Sequence, residues 1–165
     1  MSQHRYKLVA LAVLLLVCSA GLATAIPGER VLVVSDADTG EQLLAVSVEE
    51  NTTVNLSYMH SVEKTPVYDI YEIHGERLDN TEMRFQSYGW GLPAREDVHA
   101  ENGFFVFNPE NRSYDELYVK PGRIASHRLT VGDQTYDLVS LSDAQSVSIT
   151  VERRSVLSTA LSLEP

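Results

Sequence analysis

A histidine and an aspartate on neighbouring predicted strands have the types and positions to form a polar pocket. Alternating apolar residues place His60 at the end of one strand's apolar face, and Asp69 interrupts the apolar face of the next strand. If residues 61–66 simply connect the strands, Tyr58 faces Asp69, and His60 is a diagonal neighbour of that carboxylate. A buried carboxylate needs such a partner. We therefore predict a hydrogen bond between them, which serves either a binding pocket or only the register of the hairpin.

Other polar and aromatic side chains lie in the loops beside this pair. The connection after the histidine contributes Ser61, Glu63 and Lys64, hence a hydroxyl and one charge of each sign. Trp90 lies between glycines in a long loop, where an indole serves as a recognition anchor or as a plug over the end of a sheet. The predicted binding residues are His60, Ser61, Glu63, Lys64, Asp69 and Trp90.

A serine hydrolase is the alternative from a different functional class, with Ser61 as nucleophile, His60 as base and Asp69 as orienting acid. Adjacent residues of a strand point to opposite faces, and no glycine supports the sharp turn of a nucleophile elbow here. We therefore assign no catalytic residue from the sequence.

A metal-binding surface domain is a further alternative, drawing on four histidines together with Glu63 and Asp69. No two of these residues have the short spacing of an established metal motif. His99, in the long loop, is the histidine with most freedom to approach His60. We predict no metal site and no cofactor.

The elements that must position these residues are short strands. Beyond residue 27, apolar residues recur at every second position in runs separated by Gly, Asn, Asp or Pro, which is typical of antiparallel β-structure. Residues 88–102 form a long loop without periodicity. We predict an all-β fold, a single antiparallel β-sandwich or barrel of about nine to ten short strands. The predicted strands cover residues 30–35, 41–48, 52–60, 67–74, 81–87, 103–107, 114–119, 124–131, 134–139 and 145–153.

The start of the chain has the features of an export segment. A positive start precedes an uncharged, apolar run over residues 8–26, expected to be helical, and Ala23-Thr24-Ala25 fits the cleavage rule. The run also approaches the roughly 20 residues that cross a bilayer, so an uncleaved anchor is the alternative. We expect a signal peptide or N-terminal membrane anchor over 1–25, a β-domain over 26–154 and a short tail over 155–165. The predicted location is outside the cell, either extracellular or membrane-anchored.

Charge excludes one class of partner and favours one environment. The 165-residue chain has 13 Lys and Arg against 23 Asp and Glu, a formal net charge of −10, and its basic residues form no cluster. Nucleic acid is therefore excluded as a partner, because a phosphate backbone requires clustered cations. Only Lys7, Lys64 and Lys120 are lysines. An acidic, lysine-poor surface favours solubility in high salt, so we expect a halophilic protein.

Two features bear on covalent modification. Asn51, Asn55 and Asn111 each begin an Asn-x-Ser/Thr sequence, which matters if the chain is exported to a compartment with glycosylation enzymes. The single cysteine, Cys18, lies in the export segment, so the β-domain forms no internal disulfide. Its stability must come from packing.

Two motifs carry a family resemblance. HSVEKTPVYDIYEI over residues 60–73 and RFQSYGWGLP over residues 84–93 resemble the family called domain of unknown function 1850, and residues 119–141 are also similar to it. Asp69 stands where a glutamate is usual in that family, and Trp90 stands where a small residue is usual. The resemblance implies no catalytic residue, but it implies association with membrane subunits of TAXI-type tripartite ATP-independent periplasmic (TRAP) transporters.

These inferences together predict a cell-surface accessory or ligand-binding protein. Its expected partners are a TRAP transporter membrane subunit or a small solute. If the export segment is not cleaved, that segment also holds the protein at the membrane surface.

Overall fold

The computed structural model describes residues 28–88 and 97–154, which form twelve strands and one short helix. The predicted export segment, the predicted tail and Trp90 lie outside the described residues. The helix α1 is Leu138–Ser142. The strands are β1 (Glu29–Asp36), β2 (Gln42–Ser47), β3 (Thr53–Met59), β4 (Pro66–His74), β5 (Arg77–Phe85), β6 (Val98–Glu101), β7 (Phe104–Phe107), β8 (Ser113–Tyr114), β9 (Glu116–Val119), β10 (Arg128–Val131), β11 (Gln134–Asp137) and β12 (Val147–Arg154).

The strands form two sheets. The smaller sheet has the order β2-β1-β12-β9, and the larger has the order β11-β10-β3-β4-β5-β7-β6, with the two-residue strand β8 beside β5. The pairings whose registers are described are all antiparallel. The predicted all-β, antiparallel fold is confirmed, and within the described residues the sheets stay open and do not close into a barrel.

The main core lies between the inward faces of the two sheets. In β4 the alternation is strict, since Val67, Asp69, Tyr71 and Ile73 are buried and the residues between them are partly exposed. The smaller sheet contributes buried valine, leucine and isoleucine from β1 and β12, such as Leu32. Because burying one such side chain contributes about 1.5–3 kcal/mol, this apolar layer is what holds the sheets together.

A bulge in β5 changes which of its residues face the core. Ile70 of β4 pairs with Glu82, and the next residue, Tyr71, pairs with Asn80, so Thr81 is the extra residue. Before the bulge the even-numbered residues Leu78 and Asn80 are buried, and after it Phe85 is buried. The predicted strand over 81–87 was therefore too short, because the change of phase at Thr81 hid the first half of β5.

Several other predicted boundaries were wrong. Part of the predicted loop 88–102 is β6, which pairs with β7. Residues 124–127 precede β10 instead of belonging to it, and the strand predicted over 114–119 is split into β8 and β9. The strand predicted over 134–139 ends at Asp137, whose carboxylate accepts hydrogen bonds from the N–H groups of Val139 and Ser140 and thereby starts α1.

Across residues 28–88 and 97–154, no helix has the length and apolar character needed to cross a membrane. The one helix there is the five-residue α1.

Candidate functional site

The loop that follows β3 is a tight turn built around His60. We call residues 60–66 the HSVEKTP loop. The His60 carbonyl accepts a hydrogen bond from the Lys64 N–H (2.9 Å), and the His60 N–H donates to the Thr65 carbonyl (2.8 Å). The Nδ1 atom of His60 accepts from the Glu63 N–H (3.2 Å), so in the neutral ring the proton lies on Nε2. The imidazole therefore caps the turn in the way that a side-chain oxygen caps a helix.

A second loop, residues 120–127, repeats this design beside the first. The Gly122 carbonyl accepts from the Ser126 N–H (2.8 Å), and the Gly122 N–H donates to Nδ1 of His127 (3.1 Å). The two loops meet at the end of β3, where the Met59 N–H donates to the Ala125 carbonyl (2.7 Å). One end of the larger sheet thus carries two turns, each fixed by a histidine side chain.

Asp69 is buried, as predicted, but it is not the neighbour of His60. In the register of β3 and β4, Leu56 opposes Asp69 and Tyr58 opposes Val67, a shift of two residues from the predicted pairing. His60 instead pairs through its main chain with Thr65. Asp69 lies four positions after Thr65 along the strand, which is about 13 Å. The predicted hydrogen bond between His60 and Asp69 is therefore wrong, because the tight turn uses fewer residues than a simple connection would.

Asp69 lies at the boundary between two apolar clusters. Leu56, opposite it, and Tyr71, next to it on the same face, belong to the main core. Val67, its other neighbour, and Met83, opposite it on β5, belong to a smaller cluster around Phe85. Asp69 is 9% exposed, and its side chain forms no hydrogen bond or ion pair with any residue of the described part of the chain.

Burial determines the electrostatics of this boundary. It raises the pKa of Asp69 from the ordinary 3.8 to about 6. Burial, together with the negative charge of Asp69, raises the pKa of Tyr58 to about 12 and also raises that of Tyr71. The two phenols therefore remain protonated near neutral pH, whereas Asp69 changes charge near pH 6.

Tyr58 connects this acid to the loop 120–127. The rings of Tyr58 and His127 are stacked, with centroids 4.9 Å apart and planes 13° from parallel. Burial lowers the pKa of His127, which favours the neutral imidazole in this stack. Tyr58 is also the diagonal neighbour of Asp69 across β3 and β4. The site thus consists of a buried acid, two phenols and a stacked imidazole.

Three further predicted binding residues, Ser61, Glu63 and Lys64, lie in the exposed HSVEKTP loop. Ser61 and Lys64 are exposed, and Lys64 adopts a left-handed conformation (φ +56°) that closes the turn. Glu63 accepts a hydrogen bond from the Ser87 hydroxyl (3.1 Å), which ties the loop to the end of β5. The structure therefore groups Ser61, Glu63 and Lys64 around His60 but separates them from Asp69.

The hydrolase arrangement is not formed by these residues. A catalytic triad requires the acid to hold one nitrogen of the histidine while the other faces the nucleophile. Nδ1 of His60 accepts a hydrogen bond from the Glu63 N–H. Asp69 lies about 13 Å along β4 from Thr65, the residue with which His60 pairs. Ser61, His60 and Asp69 thus lack the contacts of a triad.

The described histidines are also not grouped in a way that could hold a metal ion. Within the described ranges, no three His, Cys, Asp or Glu side chains are grouped so that they could hold a metal ion. His74 lies near Glu50 and Glu72 on the exposed side of β4. His99, expected in a flexible loop, is part of β6 and lies near Glu101.

Sequence reasoning placed Asp69 correctly but missed the contribution of His127. The pairing of β3 with β10, in which Ser57 is opposite Arg128, brings Tyr58 and His127 together. These strands are far apart in the sequence, so no local pattern reveals that pairing. The available signal was weaker: His127 alternates with Leu129 and Val131, and this places it on the inward face.

A groove of about 310 Å³ lies nearby, on the other face of the larger sheet. It is lined by residues that alternate with the buried ones, including Met59 and Tyr68, and by Ile124 and Arg128 beside the second loop. Ile124 is 76% exposed. Apolar and cationic groups therefore lie side by side at the end of the sheet that carries both loops.

Comparison with known proteins identifies a family but no characterised relative. The family described as a domain of unknown function (DUF1850) matches residues 54–138, slightly more than half of the chain. The chain belongs to this family, which confirms the resemblance seen in its motifs. No curated protein and no solved structure matches the chain.

Proposed function

We propose that this member of the DUF1850 family is an exported accessory or ligand-binding domain that acts at the cell surface with a TAXI-type TRAP transporter. The observation that carries the proposal is Asp69, a buried acid without a hydrogen-bond partner among the described residues. Burial of this carboxylate disfavours its charged form, and this raises its pKa. A protein that retains such a group is stabilised when a bound ligand supplies the missing hydrogen-bond donor.

The chemistry around Asp69 selects the kind of ligand. Above pH 6 the carboxylate accepts hydrogen bonds, and the phenols of Tyr58 and Tyr71 remain protonated. A small solute with a hydroxyl or ammonium group matches the carboxylate, and its apolar part matches the partly buried members of the smaller cluster, such as Met83 opposite Asp69. We therefore expect a small polar solute with an apolar portion.

The HSVEKTP loop is suited to contact a partner protein. Its main chain is fixed by hydrogen bonds around His60, so little ordering is needed on binding. Val62 is 70% exposed at its tip, next to the charged Glu63 and Lys64. An exposed apolar residue on a rigid, polar loop is a favourable contact point for another protein. We assign this contact to a membrane subunit of the transporter.

Site-specific cross-linking of the full-length chain tests this function. A photoreactive residue at Val62 is compared with one at Asp133, which is exposed in the turn between β10 and β11 at the opposite end of the sheet. With the full chain and the transporter membrane subunits in one membrane, we expect cross-links from position 62 only. Equal cross-linking from both positions, or none from position 62, would overturn the proposal.

A further inference from the structure

The three Asn-x-Ser/Thr sequences differ in their structural settings, and we infer that Asn51 is the carbohydrate acceptor of this chain. This inference rests on the export that is part of the proposed function. Carbohydrate is bulky and hydrophilic, and its acceptor sequence must lie in an exposed loop. The acceptor amide and the hydroxyl two residues later must both be accessible. Each of the three sequences can be judged on these two groups.

Asn55 does not meet these two requirements, because it lies in the interior of a sheet. Its strand, β3, is paired on both sides, with Ile70 of β4 and Thr130 of β10 opposite Asn55. The Oδ1 atom of Asn55 is buried. Its hydroxyl residue, Ser57, lies in the same strand between Tyr68 and Arg128. This sequence therefore becomes accessible only if the larger sheet opens.

Asn111 is exposed, but its hydroxyl residue is engaged. The Ser113 hydroxyl accepts a hydrogen bond from Nε of Arg77 (2.7 Å) and donates one to the Asp79 carboxylate. Arg77 also donates to Asp115 (2.6 Å), so several contacts hold this strand end together. Presenting the Ser113 hydroxyl to an enzyme would break both of its hydrogen bonds.

Asn51 meets both requirements. It is exposed in the turn before β3 and has a left-handed conformation (φ +62°) that asparagine tolerates well. Thr53 is exposed. Within the described ranges, neither the Thr53 hydroxyl nor the side-chain amide of Asn51 has a hydrogen-bond partner. The turn itself is well formed, since the Asn51 N–H donates to the Ile73 carbonyl (2.9 Å). The acceptor amide and the hydroxyl of the acceptor sequence are thus both presented on a fixed surface turn.

The position of Asn51 is compatible with the proposed binding function. The turn precedes β3, whereas the HSVEKTP loop follows it, and a strand of this length spans about 20 Å. A glycan on Asn51 would therefore leave both histidine-fixed loops uncovered.

The modification is a glycosyl transfer from a saccharide linked to a lipid phosphate. Nδ2 of Asn51 attacks the anomeric carbon, a C–N bond forms, and the bond from that carbon to the phosphate oxygen breaks. The lipid phosphate leaves with the bonding electrons, and the amide loses one proton to a base of the transferase. No oxidant or reductant is required.

Mass analysis of the full-length chain, recovered from a host that exports and N-glycosylates proteins, tests the inference. Asn51→Asp removes the acceptor amide but keeps a residue that tolerates positive φ, and Asn111→Asp is the matched control because Asn111 has φ +56°. We expect the glycan mass to disappear in Asn51→Asp and Thr53→Ala and to persist in Asn111→Asp.

The location of the chain is measured on the same sample, so that two kinds of failure are distinguished. An exported chain without carbohydrate, or with carbohydrate on Asn55 or Asn111, overturns the inference and leaves the proposed function standing. A chain that stays inside the cell overturns the proposed export and this inference together.

Discussion

Tyr58 and His127 are stacked face to face, with ring centroids 4.9 Å apart, although they are 69 positions apart in the sequence. The stack joins the strand that faces Asp69 to the second histidine-fixed loop. A buried acid, a phenol and a neutral imidazole are therefore neighbours at one end of the larger sheet. This relationship, and not a contact between His60 and Asp69, organises the candidate site.

Replacing Asp69 by Asn should stabilise the protein at neutral pH. The raised folded-state pKa means that the stability associated with Asp69 is fully present below about pH 4 and is lost as the pH rises through 6. The full shift corresponds to about 3 kcal/mol. We expect Asp69→Asn to raise the free energy of unfolding by up to about 3 kcal/mol at pH 8 and to change it little at pH 4, measured by urea denaturation.

The control for this prediction is Asp133→Asn, a substitution in an exposed turn. Comparing each variant with the parent chain cancels the contributions of other carboxylates, such as Asp36 and Asp137, whose pKa values are lowered. A parallel loss of stability in Asp69→Asn at both pH values would contradict the account, because it would mean that Asp69 makes a stabilising contact.

Much of the fold follows from local patterns, because burial alternates along most strands as the sequence does. Asp69 was placed on the buried face of β4 by that alternation alone. The architecture was predictable for the same reason, since alternating strands with one apolar face must pack against a second layer.

The register around the site was not predictable from the same patterns. A shift of two residues preserves every inward-facing position, so alternation cannot distinguish Leu56 from Tyr58 as the partner of Asp69. The choice is made by the turn, where the His60 side chain and the left-handed Lys64 close the loop early. The bulge at Thr81 is a second such event, because it reverses the phase of β5.

Removing the imidazole of His60 should loosen the HSVEKTP loop. His60→Ala deletes the acceptor for the Glu63 N–H, and loss of a comparable helix cap costs about 1 kcal/mol. We expect faster hydrogen exchange at the Glu63 amide and a lower urea midpoint. Ser61→Ala, at an exposed position of the same loop, should leave both unchanged. Unaltered exchange at Glu63 in His60→Ala would show that the cap has no role.

The stack between Tyr58 and His127 should control the titration of that histidine. Tyr58→Leu removes one aromatic face, which is worth about 0.5–1.5 kcal/mol, and lets water reach the imidazole. The pKa of His127 should then rise toward its ordinary value, whereas Tyr58→Phe should keep it lowered. Proton NMR titration of the imidazole measures both variants. An identical pKa in Tyr58→Leu and Tyr58→Phe would rule out the stack as its cause.

The buried amide of Asn80 should be important for the bulge in β5. Its Nδ2 donates to the Ile70 carbonyl (3.0 Å), next to Asp69 in β4. Asn80→Ala should cost about 1–3 kcal/mol because that carbonyl loses the shorter of its two side-chain donors, while the Thr81 hydroxyl remains at 3.4 Å. Asn108 donates to the Thr81 carbonyl (3.2 Å) from an exposed position, so Asn108→Ala should cost less than about 0.5 kcal/mol. Equal destabilisation by the two substitutions in thermal unfolding would contradict the assigned role of the bulge.

The most direct test of the account is the titration of the Asp69 carboxyl carbon by NMR in the full-length chain. A buried acid without a donor among the described residues should titrate near pH 6. A midpoint at or below about 4 would show that Asp69 is solvated or held by a cation, and the proposed binding site would have to be abandoned.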